Sequence, residues 1–136
     1  MKVEVSNGEL LDKLTILEIK LNRIMDDAKL KNIRNEAEML MEVAVKIPEL
    51  NDIMVNVSEV PPESSVHSRL FHVNLALWEI EDKLRGKEKD QQFDEEFVEL
   101  ARSVYILNDE RAELKRAVNL MTKSLLMEEK SYAPKK

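Results

Sequence analysis

Cysteine is absent from this chain, which removes disulfides, thiolate metal sites and thiol catalysis together. Two glycines and four prolines among 136 residues leave few turn formers. That is too little glycine for a phosphate-cradling loop or for the strained turn that presents a serine nucleophile. No run of about 18 apolar residues occurs, so nothing is expected to span a membrane. The opening "MKVEVSNGELLDK" also lacks the unbroken apolar core of a secretory signal. Clustered bases are missing too. The formal net charge is −6, and Lys and Arg alternate with Glu and Asp along every segment. A primary nucleic-acid binder needs its cations gathered in one place, so the charge argues against that class.

What remains is a composition of helix formers. Charged residues make up 35% and aromatics 4%, with Leu, Glu, Lys and Met prominent, as in helical bundles and coiled coils. The length fits a single helical domain over residues 1–136 with one modest core. A cytoplasmic protein without cofactors is the expectation.

Apolar spacing marks four helices, at about 7–26, 28–47, 65–86 and 94–127. The first opens on Ser6 and Glu9, the S-x-x-E pattern of a capping box. Leu10, Leu14, Leu17, Leu21 and Ile24 then step by four and three, while Leu11, Ile16, Ile19 and Met25 widen the apolar surface. Asp26 and Asp27 offer a new N-cap, and Leu30, Ile33, Ala37, Leu40, Ala44 and Ile47 form the second seam up to Pro48. So short a connection makes the first two helices an antiparallel hairpin. Residues 48–64 read as an irregular connection. Ile53, Val55 and Val57 alternate like a strand, a small pairing with Val3 and Val5 is conceivable, and Ile47, Leu50, Met54 and Val57 also fit a helix.

The third seam is Val66, Leu70, Val73, Leu77, Ile80 and Leu84, with Gly86 near its end. The fourth starts around Asp94 and runs through Phe97, Leu100, Val104, Leu107, Leu114, Val118, Met121 and Leu125. The fold expected is all-α: an up-and-down four-helix bundle, two antiparallel hairpins with a long C-terminal helix. Continuous to Met127, that last helix is roughly 50 Å long, against about 30 Å for the others. It overhangs its neighbour and carries Leu120, Met121, Leu125, Leu126 and Met127, too much apolar surface to leave in water. A homodimer, or the 48–64 connection, is expected to cover it.

Four stretches, "GELLDKLTILEIKL", "LWEIEDKLR", "FVELARSVYILNDERAELKR" and "EEKSY", resemble a family of small α-helical bacterial proteins. The likeness touches both ends and most of the helical chain and weakens across 48–65. It implies an all-helical cytoplasmic protein and carries no catalytic residue with it.

One polar feature interrupts the seams. Arg111 stands where the spacing of Val104, Leu107, Leu114 and Val118 asks for a hydrophobe, with Asn108 one turn before it. An antiparallel register places Asn74, Trp78 and Glu81 of the third helix opposite Tyr105, Asn108 and Arg111, and Glu18 flanks the seam of the first helix. A buried guanidinium requires a carboxylate partner. Glu18 is the first choice and Glu81 the second. A network that fixes pairing is preferred over a ligand site or catalysis, because polar residues in a seam commonly set register. A small anionic-ligand site built from Trp78, Tyr105 and Arg111 is a competing reading, and it places a pocket between the last two long helices.

The acid pairs raise a metal alternative. Glu79 with Asp82, and Glu96 with Glu99, put two carboxylates on one helix face, as in the all-helical Mg-dependent nucleotide pyrophosphohydrolases. Here the order of the pairs is reversed, and with 27 acids in the chain such spacings arise easily. His67 and His72, five apart, diverge around a helix and make a poor metal pair, and no E-x-x-H occurs. The function expected is therefore a non-catalytic helical protein-interaction or assembly module, with the phosphohydrolase as the alternative.

Overall fold

The computed structural model describes residues 1–55 and 65–131, all-α with no strand among them. Helix α1 spans Asn7–Arg23, α2 Asp27–Ala44, α3 Pro48–Val55, α4 Val66–Lys89 and α5 Glu95–Met121. Four of the five begin on a side chain that accepts a hydrogen bond from a first-turn amide. Ser6 accepts from Glu9 N, Asp26 from Lys29 N, Ser65 from Ser68 N and Asp94 from Phe97 N. Only half of the expected capping box forms at α1. The Glu9 carboxylate pairs with Lys115 Nζ at 2.6 Å and leaves its own cap.

Proline shapes the middle of the chain. α2 stops at Ala44 and not at 47, since a residue before proline is pushed out of the helical region. Pro48 then becomes the first residue of α3, where its missing N–H costs nothing. Over residues 48–55 a helix, the alternative that the spacing of Leu50 and Met54 allowed, stands in place of the expected irregular connection; residues 56–64 lie outside the described residues. The strand-like Ile53 and Val55 lie on a helix that buries Leu50 fully and packs Ile53 and Met54 against the core. Val3 and Val5 are exposed and not paired in a sheet; Val57 lies outside the described residues.

Two helices end in the same way. At α4 the chain passes through Gly86 to Lys89, Gln91 takes φ 54, and Gln92 N donates to Lys87 O. At α5 Lys123 takes φ 52 and Ser124 N donates to Asn119 O. Both are Schellman turns with a non-glycine residue in the left-handed position. Gly86 therefore does not mark the end of its helix, and the helix expected to reach Met127 stops six residues earlier. α5 is about 40 Å long.

The packing follows from levels fixed by side chains. Arg69 faces Glu110 and Lys87 faces Asp94, which sets α4 antiparallel to α5. Gly8 meets Asn119, Glu9 meets Lys115 and Asp12 meets Arg111, so α1 runs antiparallel along α5. α2 folds back on α1, bringing Val43 and Ile47 beside Leu10. The core joins Leu10, Leu11 and Leu14 to Ala44, Leu50, Leu70, Val73, Leu77, Leu114 and Val118. α1 is the central element, touching α2, α4 and α5. Each fully buried Leu there contributes about 1.5–3 kcal/mol relative to exposure. None of the described helices is long and apolar enough to cross a membrane.

Candidate functional site

The central helix carries two buried stripes. Leu10, Leu14 and Leu17 form one; Gly8, Asp12, Thr15 and Ile19, spaced four, three and four, form the other. The second stripe is small and polar at its start, which lets α5 approach closely. A Cβ on Gly8 would overlap the Lys115 carbonyl oxygen and press on Asn119 Oδ1. The reward for that approach is a hydrogen bond, as Gly8 N donates to Asn119 Oδ1 at 2.6 Å.

One turn on, Asp12 is fully buried. Arg111 Nε and Nη2 donate to its two oxygens at 2.9 and 2.6 Å, a bidentate pair. Asn74 Nδ2 donates to Asp12 Oδ1 and to Thr15 Oγ1, both at 2.9 Å, and Thr15 Oγ1 donates to Asp12 O at 2.7 Å. Among the described residues no buried side-chain nitrogen or oxygen is left without a partner. Burial by itself raises the Asp12 carboxyl. Hydrogen bonds from Arg111 and Asn74, with the charges of Arg111 and Lys115, outweigh it and hold the group below the ordinary range. The Arg111 guanidinium is held up in turn, first by its hydrogen bond to Asp12.

The counter-charge of Arg111 is thus Asp12, and neither Glu18 nor Glu81. Glu18 is exposed on α1; its nearest role is a field that partly offsets the burial lowering His67. Glu81 is exposed, lies 3.6 Å from Arg85 and reaches Arg111 only through its charge. Of the seven residues read from the sequence, the structure joins Asn74 and Arg111 through Asp12. Trp78 and Asn108 are half-buried and Tyr105 is exposed. The leucine seam does not single out Asp12 and Thr15, because they lie beside it. The signal was the second heptad-like spacing, legible only if a small or polar residue counts as buried.

The acids of the metal alternative disperse. Glu79 pairs with Arg23, Asp82 with Arg85, Glu96 with Lys87 and Glu99 with Arg102. No group of three or more acid or histidine side chains among the described residues is placed to hold a metal ion. A cleft of about 390 Å³ does open between α4 and α5, but Trp78, Tyr105 and Arg111 do not line it.

Beyond α5 the chain folds back over the start of α1. Asn7 N donates to Ser124 Oγ at 3.0 Å, Asn7 Nδ2 to Thr122 Oγ1 at 2.9 Å, and Ser6 Oγ to Glu128. With Gly8 N bound to Asn119 and Glu9 N to Ser6 Oγ, the amides of the first three residues of α1 are all satisfied, and Leu10 N opens the helical ladder on the Ser6 carbonyl. The expected overhang is replaced by this strap, yet its apolar residues are not hidden. Leu125 is 96% exposed, and Leu120 and Met121 are exposed beside it in sequence. Leu125, Val3, Val5 and Val43 rim a cleft of about 570 Å³, and Leu10 and Ile47 also line it.

A family model, that of a family of unknown function (DUF6165), matches residues 1–135. No curated protein and no solved structure matches the chain.

Proposed function

The chain belongs to this family of unknown function, and from that premise we propose that it is a non-catalytic helical interaction module that pairs with a second copy of itself. The observation that carries the reading is the group of exposed apolar side chains in the cleft between the residues ahead of α1 and the segment after α5, where Lys2, Glu4 and Lys123 add a polar share. Val3, Val5, Val43 and Leu125 stand in water around Leu10 and Ile47. A monomer seldom leaves such side chains grouped in the open, because covering them releases about 25 cal/mol per Å² of apolar surface. The residues ahead of α1, the segment just after α5 and the end of α2 contribute, so the surface is assembled only in the folded molecule. In this reading the buried Asp12–Arg111 network sets the level of α1 against α5 and thereby holds the rim in place. The resemblance noted in the sequence supports a bacterial, cytoplasmic setting for this module.

Light scattering on the full chain tests the proposal. The unaltered protein is expected to have the mass of a dimer, and Leu125→Asp combined with Val43→Asp the mass of a monomer. Both side chains are more than half exposed, so melting of the altered chain's monomer should stay within about 0.5 kcal/mol of the unaltered monomer's. A monomer at millimolar concentration, or a dimer indifferent to both substitutions, overturns it.

A further inference from the structure

The cleft between α4 and α5 has a composition the interaction reading does not use. Its floor is apolar, from Val73 and Ala76 of α4 and Leu107 of α5. Its walls carry one charge of each sign, Arg69 on α4 and Glu110 on α5. These two approach only to 3.8 Å, with both side chains close to half exposed. That is too long for a hydrogen bond, in contrast to the 2.6 Å contact between Arg111 and Asp12. Their hydrogen-bonding capacity toward each other is unspent.

His72 adds a third polar group with a defined orientation. Its Nδ1 lies 2.7 Å from the Ser68 carbonyl oxygen. The Ser68 hydroxyl lies farther from the same nitrogen, at 3.3 Å, so the tautomer that fits the shorter contact has the proton on Nδ1 and leaves Nε2 as an acceptor. The cleft's volume, about 390 Å³, falls within the range of small-molecule sites, about 300–1,000 Å³.

Charge balance selects among ligands. A simple anion meets Arg69 but is repelled by Glu110, and a simple cation meets the reverse. A molecule with both charges close together and an apolar body satisfies both walls and the floor. We propose that this cleft binds a free amino acid with an apolar side chain. Its carboxylate accepts from Arg69, its ammonium donates to Glu110 and to His72 Nε2, and its side chain lies on Val73, Ala76 and Leu107. The loose ion pair is exchanged for charge-assisted hydrogen bonds on both sides.

Calorimetric titration of the full chain with L-leucine and L-phenylalanine tests this, with N-acetyl-leucine and leucinamide as ligands that each lack one charge. Saturable binding of at least one free amino acid is expected, at a Kd below about 1 mM. The two blocked ligands should bind at least about tenfold more weakly, the scale of one lost hydrogen bond to a charged group. Arg69→Gln and Glu110→Gln should each weaken the free amino acid by a similar factor, while Glu79→Gln, in a distant ion pair, leaves it unchanged. Since the altered side chains are exposed, an unchanged melting temperature verifies folding. No saturable binding of either amino acid, blocked ligands that bind as well as free ones, or wall variants within about twofold of the unaltered chain would each overturn the assignment.

Discussion

Asp12 and Arg111 form an asymmetric pair, and the asymmetry makes a prediction. Asp12 has no exposure, whereas the Arg111 side chain keeps 29% of its own. Losing the aspartate leaves a guanidinium that can turn toward water; losing the arginine strands a carboxylate in the interior. Arg111→Met should therefore cost about 3–5 kcal/mol and Asp12→Asn only about 1–2 kcal/mol, measured by urea unfolding at neutral pH. Equal losses would remove the argument.

The pH dependence should also change sign. In the unaltered protein the Asp12 pKa is depressed, so its stabilisation is complete above the ordinary value of about 4 and is lost as pH falls through the folded value. Without Arg111, burial dominates and the folded pKa rises above the unfolded one. Stability contributed by Asp12 is then present at low pH and lost as pH rises. Arg111→Met should gain stability relative to the unaltered chain between pH 7 and pH 5, and Asp12→Asn should not.

At the scale of the helix, the two glycines have opposite expectations. Gly8 sits where α1 and α5 touch, and a methyl group there collides with the Lys115 backbone. Gly86 lies inside α4 with nothing within 4 Å of an added Cβ. Gly8→Ala should destabilise by about 2–3 kcal/mol through forced separation of the helices. Gly86→Ala should stabilise by about 0.5–1 kcal/mol, because alanine loses less backbone freedom in a helix. Thermal melts of the two variants that moved in the same direction would contradict this account. The apolar spacing identified four of the five helices, because each buries a stripe of regular period. Their ends were less legible. Gly86 invited a stop that Gln91 supplies five residues later, and Pro48 looked like an ending when it is a beginning. The left-handed residue of each Schellman turn is not a glycine, and nothing local in Gln91 or Lys123 announces the role.

For the whole molecule, the consequential feature is that residues far apart in sequence complete one another's hydrogen bonding. The start of α1 is capped by Asn119 and Ser124 from the other end of the chain. Removing both acceptors, by Asn119→Ala with Ser124→Ala, should speed amide exchange at Asn7 and Gly8. It should leave amides near Leu84, at the far end of the α4–α5 hairpin, unchanged. The lost protection should correspond to about 1–3 kcal/mol at Gly8, the cost of an unpaired buried donor. Unaltered exchange at Asn7 and Gly8 would mean that the strap does not hold the helix.

The sequence by itself determined that this protein is helical, where its apolar stripes run, and that Arg111 needs an acid. Those are consequences of period and charge, which are local. Only the tertiary structure decided that the acid is Asp12, that the long C-terminal helix stops at Met121 and folds back, and which oily side chains remain in the open. Each of these depends on the distance between helices. That distance is set by the absence of a side chain at Gly8, a fact whose consequence appears only when α5 lies against it.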